Sequence, residues 1–223
     1  MDAAQSILQN NLGNERARKR DRTVSPRRTR VSSVMKHPSN RAFFTYWDDK
    51  RGTARAPDRS EIEPHALREL LGDIFVLAYE DEGFPFRVAG TRVCARFGRD
   101  VKNQRFSTLF APESRGEIGE IVSAVAEETL PAIAGITATS QGGEPVHLEL
   151  LLLPFHTRAH TPISLTGLLA PFSERPSLLG EFKLTSWRYL GHPPQRFIPR
   201  TLRKLAIARG FMVYEGLSYG ALL

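Results

Sequence analysis

"FRVAGTRVCARFGRDVKNQRFSTLF", residues 86–110, carries the only cysteine of the chain, two glycines, six cationic side chains and four phenylalanines. It follows an apolar run, "DIFVLAYE" (73–80). Three readings compete for it: a reactive-cysteine site, a phosphate-binding turn, or the corner where a small fold passes from strand to helix. A reactive thiol needs a depressed pKa and access to solvent. Helical spacing instead puts Cys94 beside Val93 and Phe97, with Arg92, Arg96 and Arg99 on the opposite side, which predicts a buried, inert thiol. A phosphate loop would end in Lys-Ser/Thr and open a long helix; Gly90 and Gly98 have neither. The corner remains, with glycines where the backbone must turn and pack closely.

On either side of the corner the apolar period alternates between two and 3.6. "SNRAFFTYWDDK" (39–50) puts Phe43, Tyr46, Trp47 and Lys50 at helical spacing after a Ser39 or Asn40 cap. "EIEPHALRELLG" (61–72) reads as a second helix, with Pro64 in its first turn and Gly72 at its stop. "DIFVLAYE" and "GFPFRVAG" (83–90) read as two strands joined by a hairpin turn. Ile118, Ile121, Val122 and Val125 mark an amphipathic helix. Three strands follow, "PAIAGITATS" (131–140), "PVHLELLLLPFHT" (145–157) and "PISLTGLLAPF" (162–172), linked through "QGGE" and "RAHT". The expected fold is α+β: a five-stranded antiparallel sheet with helices on one face, preceded by N-terminal helices and followed by a basic amphipathic C-terminal helix.

In "PVHLELLLLP" the alternation sends Val146, Leu148, Leu150 and Leu152 to one face and His147, Glu149, Leu151 and Leu153 to the other. With the aliphatic face buried, His147 is expected outside, paired with Glu149 or a partner chain. Leu151 and Leu153 then form an apolar outer patch that needs a cover. The aromatic helix bearing Phe43, Tyr46 and Trp47 can supply it, from the same chain or from a second subunit. A homodimer is the expected assembly.

The formal charge of +7 is unevenly spread. Residues 1–36 hold nine Lys/Arg against three Asp/Glu, and residues 192–223 hold five against one, whereas residues 37–191 hold seventeen against twenty. The basic first 36 residues lack an apolar period and read as a disordered tail, with Met35 a second candidate start. The domain is expected over 37–190, and a basic extension over 191–223. Basic ends on an acidic centre make nucleic-acid association through the tails the alternative function. One cysteine excludes an internal disulfide framework and a multi-cysteine zinc site. No secretory leader or membrane-length apolar run is visible, so a cytoplasmic setting is expected.

The segments "SNRAFFTYWDDKRG", "APDRSEIEP", "RELLGDIFVL", "FRVAGTRVCARFGRDVK", "VHLELLLLPF", "GLLAPF" and "LGEFKLTSWRYL" are collinear over roughly residues 38–190. Together they resemble a stand-alone bacterial PAS-domain family, with "AGTRVCARFG" the most specific piece. The resemblance implies a cavity between the inner sheet face and the helices, with Val93, Cys94, Phe97, Phe106, Leu150 and Leu152 as its lining. It also implies a sensory or regulatory module that works through a ligand or a protein partner, with no output domain of its own. Haem would need an axial ligand, and His147 points outward on this reading. Around Cys94 the sequence reads "RVCARFG", without the Asn-Cys-Arg-Phe-Leu-Gln signature of light-sensing relatives, so neither haem nor flavin is expected. No cluster pairs a nucleophile with an oriented base, and no catalytic or metal-binding residue is expected.

Overall fold

The computed structural model describes residues 34–80, 83–156, 162–173 and 178–190, and beyond them only the backbone of two strands within 202–216. Six strands, β1 (Ile74–Ala78), β2 (Phe86–Ala89), β3 (Ala132–Ser140), β4 (Pro145–Pro154), β5 (Ser164–Pro171) and β6 (Leu179–Tyr189), form one sheet. Their order is β2-β1-β5-β4-β3-β6, and every neighbouring pair is antiparallel. Helices α2 (Thr91–Phe97) and α3 (Pro112–Glu128) connect β2 to β3. They pack on the inner face through Val93, Ile118, Ile121, Val122 and Val125. Helix α1 (Pro38–Arg51) lies on the opposite, outer face, against β4 and β5. The expected α+β sheet is therefore present, covered on both faces.

Five expectations need correction. The sheet has six strands, not five. In β6 the apolar residues Phe182 and Leu184 are followed by Trp187 and Tyr189, a break of phase that hides the period of two. The register explains it: Leu184 faces Ile136, Trp187 faces Ala134, and Thr185–Ser186 carries one extra residue as a β-bulge. The bulge returns the aromatic pair to the inner side, where Trp187 Nε1 donates to Glu117 Oε1 at 2.6 Å.

The second N-terminal helix is two short 3-10 turns, Arg59–Glu61 and Pro64–Leu67. Asp58 and Glu61 close a reciprocal capping box on the first. Leu67 is the only buried residue of the second, so there is no apolar stripe to propagate a longer helix.

The C-terminal amphipathic helix is replaced by an antiparallel hairpin, β7 (Leu202–Ala208) and β8 (Phe211–Gly216). The stretch "FMVYEG" is rich in strand-favouring side chains. The side chains of that hairpin, most of the basic N-terminal tail and the "RAHT" loop lie outside the described residues, and with them the nucleic-acid reading.

The tail ends earlier than Lys36. Met35 is 1% exposed and belongs to the outer apolar cluster with Phe43, Trp47 and Leu151. His37, rather than Ser39 or Asn40, caps α1, its ring nitrogen accepting from the Ser39 N–H at 3.2 Å. Among the described residues, no helix is long and apolar enough to cross a membrane.

Candidate functional site

The opening stretch is a corner, and its geometry shows why glycine is needed there. The Gly90 N–H donates to the Ile74 carbonyl at 2.9 Å, and the Gly72 carbonyl accepts from Arg92 and Val93, the first N–H groups of α2. This brings the two backbones so close that a β-carbon on Gly90 would sit 2.3 Å from the carbonyl oxygens of both Leu71 and Gly72. Gly98 ends α2 in the left-handed region, φ 63°, with its N–H returning to Ala95. Gly90→Ala is expected to lower the unfolding free energy by about 1–3 kcal/mol, because the neighbours are backbone and cannot step aside. Urea denaturation reads this directly, and a neutral substitution would contradict the close packing.

The arginine stripe is not a free cationic surface. Asp73, its side chain 14% exposed, accepts from Arg92 Nε at 2.8 Å and from Arg96 at 2.8 Å. Arg92 also donates to the Glu69 carbonyl at 2.6 Å. The hydrogen bond to Asp73 raises the Arg92 guanidinium above its ordinary value. Two of the three arginines on that side of the helix therefore pin α2 to the residue just before β1. Asp73→Asn is expected to cost about 1–3 kcal/mol, as charge-assisted hydrogen bonds do. Thermal unfolding at low and high salt checks it, and the difference should shrink as salt rises.

The six residues expected to line an inner cavity gather on the inner face. Val93, Phe106, Leu150 and Leu152 are buried there, and Cys94 and Phe97 are half-buried against them. Cys94 Sγ lies 3.9 Å from Asp100 Oδ1. Around them runs a chain of ring contacts: Phe75–Phe106 at 5.2 Å, Phe75–Phe86 at 5.3 Å, Phe106–Phe110 at 5.4 Å, Phe110–Phe182 at 5.4 Å and Phe97–Phe182 at 5.3 Å. These are offset and edge-on geometries that add to burial energy.

On the outer face, the cover for Leu151 and Leu153 comes from the same chain. Phe43, Phe44 and Trp47 of α1 pack with Met35 onto Ile133, Leu151, Leu153 and Leu168. Trp47 Nε1 donates to the Pro154 carbonyl at 2.9 Å. Tyr46 sits at the margin, its hydroxyl accepting from the Glu63 N–H at 2.8 Å.

The polar anchor of this cover was not anticipated. Glu149 is 5% exposed and does not pair with His147, whose ring nitrogen instead lies 3.1 Å from Thr137 Oγ1. Its carboxylate accepts from the Lys36 N–H at 2.7 Å, the His37 N–H at 2.9 Å and Asn40 Nδ2 at 3.0 Å. Asn40, fully buried, also donates to the Glu149 carbonyl. A carboxylate at the N-terminal end of a helix is doubly favoured, by its hydrogen bonds and by the helix dipole. The signal was in the sequence: Glu149 shares its face with Leu151 and Leu153, and a carboxylate there must find donors.

The family described as PAS domain matches residues 35–170. No curated protein matches the chain in sequence. Among solved structures, the Rhodobacter sphaeroides LOV protein is 11% identical, with a TM-score of 0.38, covering 48% of this chain and 65% of its own. The PAS domain of a Colwellia psychrerythraea protein is 13% identical, with a TM-score of 0.38, covering 51% of this chain and 100% of its own. A structure titled for a flavin analogue in a light-oxygen-voltage domain is 12% identical, with a TM-score of 0.37, covering 49% and 84%.

Proposed function

Because the chain belongs to the PAS-domain family, a family of sensory and signalling modules, we propose that it is a non-catalytic regulatory module whose output is the seating of α1 on the outer sheet face. The observation that carries this reading is the way α1 is attached. One aromatic face and one polar clasp hold it, and both are separate from the inner core. Such an element can lift while the sheet and α2–α3 stay packed, which is the behaviour of a locally stable unit.

A signal, whether a small ligand or a protein, then acts by binding one α1 arrangement better than the other. Lifting α1 uncovers Leu151, Leu153 and Leu168, an apolar surface suited to a partner protein or to a second copy of the chain. Neither haem nor flavin is part of this proposal.

The test begins with native mass spectrometry and an absorption spectrum of protein purified without added cofactor. Amide exchange of α1 is then compared with and without any co-purifying molecule or partner. The proposal expects α1 protection to change with occupancy. An occupant that leaves α1 protection untouched would refute it.

A further inference from the structure

We propose that the outer face carries a second, separate binding groove for a small organic anion, a carboxylate or phosphate on an apolar body, placed to act on the α1 clasp. A groove of about 470 Å³ lies between the polar half of the outer face, on β3, β4 and β6, and the segment that leads into α1. This volume is in the range that small ligands use. α1 covers β4 and β5 but leaves this half of the sheet open.

The chemistry of the lining selects the ligand. Lys36 and Arg188 bring positive charge to it, and His147 brings an imidazole. Arg188 projects outward, opposite Ile133 in the β3–β6 register. The bulge in β6 directs the hydroxyls of both Thr185 and Ser186 over Gly135, each 2.9 Å from where a β-carbon there would lie. Glu149 is the only carboxylate in the lining, and its oxygens already accept from Lys36, His37 and Asn40. Phe172, 49% exposed and in edge-on contact with His37, gives the apolar wall. Cations and hydroxyls with an aromatic wall fit an anion attached to an apolar body.

The groove touches the clasp directly. Lys36 lines it and donates its backbone N–H to Glu149. An occupant that holds the Lys36 ammonium acts on the two residues from which α1 is hung. This coupling rests on the reading of α1 as the output element; the groove itself does not.

The test is a titration of the ¹⁵N-labelled full chain with benzoate, phenyl phosphate and neutral benzamide, followed by amide chemical shifts. Saturable shifts are expected at Gly135, Ser186 and Arg188 with the anions and not with benzamide. The stronger of the two anions identifies the head group. Arg188→Glu, a change at an exposed position, should weaken binding about tenfold or more, the worth of one charge-assisted contact. An equal response to benzamide, unchanged affinity in Arg188→Glu, or shifts scattered over other basic surfaces would overturn the groove as a site. Movement of the Lys36 and His37 amides with the groove signals supports the coupling. Groove shifts with those two amides still would overturn the coupling while the site stands.

Discussion

Trp47→Ala is expected to lower the unfolding free energy by about 3–5 kcal/mol, the range for removing a large buried aromatic. Trp47 is among the largest fully buried side chains of the described residues. It packs on Phe44 at 6.0 Å and has the Arg51 guanidinium 5.6 Å from its ring. Its indole N–H is the donor to the buried Pro154 carbonyl, which the substitution leaves unpaired. Urea denaturation measures the loss, with Trp187, the other of the two tryptophans, as fluorescent reporter. A cost below about 1 kcal/mol would mean that the outer cover contributes little, against the burial seen here.

Glu149→Leu should be nearly as damaging, at about 3–5 kcal/mol. It leaves three donors, the Lys36 and His37 N–H groups and the Asn40 amide, facing hydrocarbon, and each unmade bond costs about 1–3 kcal/mol. The ceiling is set by α1 itself, which escapes the penalty by lifting into water. Glu149→Gln keeps one acceptor oxygen and should cost less, about 1–2 kcal/mol. The order Leu worse than Gln is the diagnostic, because a purely steric role would make Gln and Glu alike. A leucine variant as stable as the original chain would show that the clasp adds nothing.

The inner half of the fold was legible because its signals are local and periodic. Val146, Leu148, Leu150 and Leu152 alternate cleanly, and the helix of Ile118, Ile121 and Val125 keeps its stripe; all of these side chains are buried or half-buried in one cluster. The corner at Gly90 was legible for the same reason, as a change of period with glycine at the turn. β6 was not, because its bulge shifts the phase midway along the strand. The C-terminal hairpin was misread because short apolar stretches with interspersed basic residues satisfy helical and extended periods alike.

The outer site was only half legible. Phe43, Trp47, Leu151 and Leu153 were visible as two surfaces in need of each other, and the structure joins them within one chain. The partners of Glu149 were not, because Lys36 and His37 contribute backbone N–H groups, which carry no sequence signature. Asp73 was missed in the same way. Its two arginines are local to each other at a spacing of four, but Asp73 is 19 and 23 residues away from them. Helical geometry thus grouped the cations correctly and could not name the acid that holds them.

On this reading α1 is a separately releasable cover, hung from Glu149. Native-state hydrogen exchange of α1 amides, in the original chain and in Glu149→Gln, tests it most directly. Helix α1 is expected to exchange through a local opening of lower free energy than the amides of β1, β4 and β5. The substitution is expected to speed α1 exchange more than strand exchange. Exchange of α1 only through global unfolding, with α1 and strands shifting by the same amount in the variant, would contradict it.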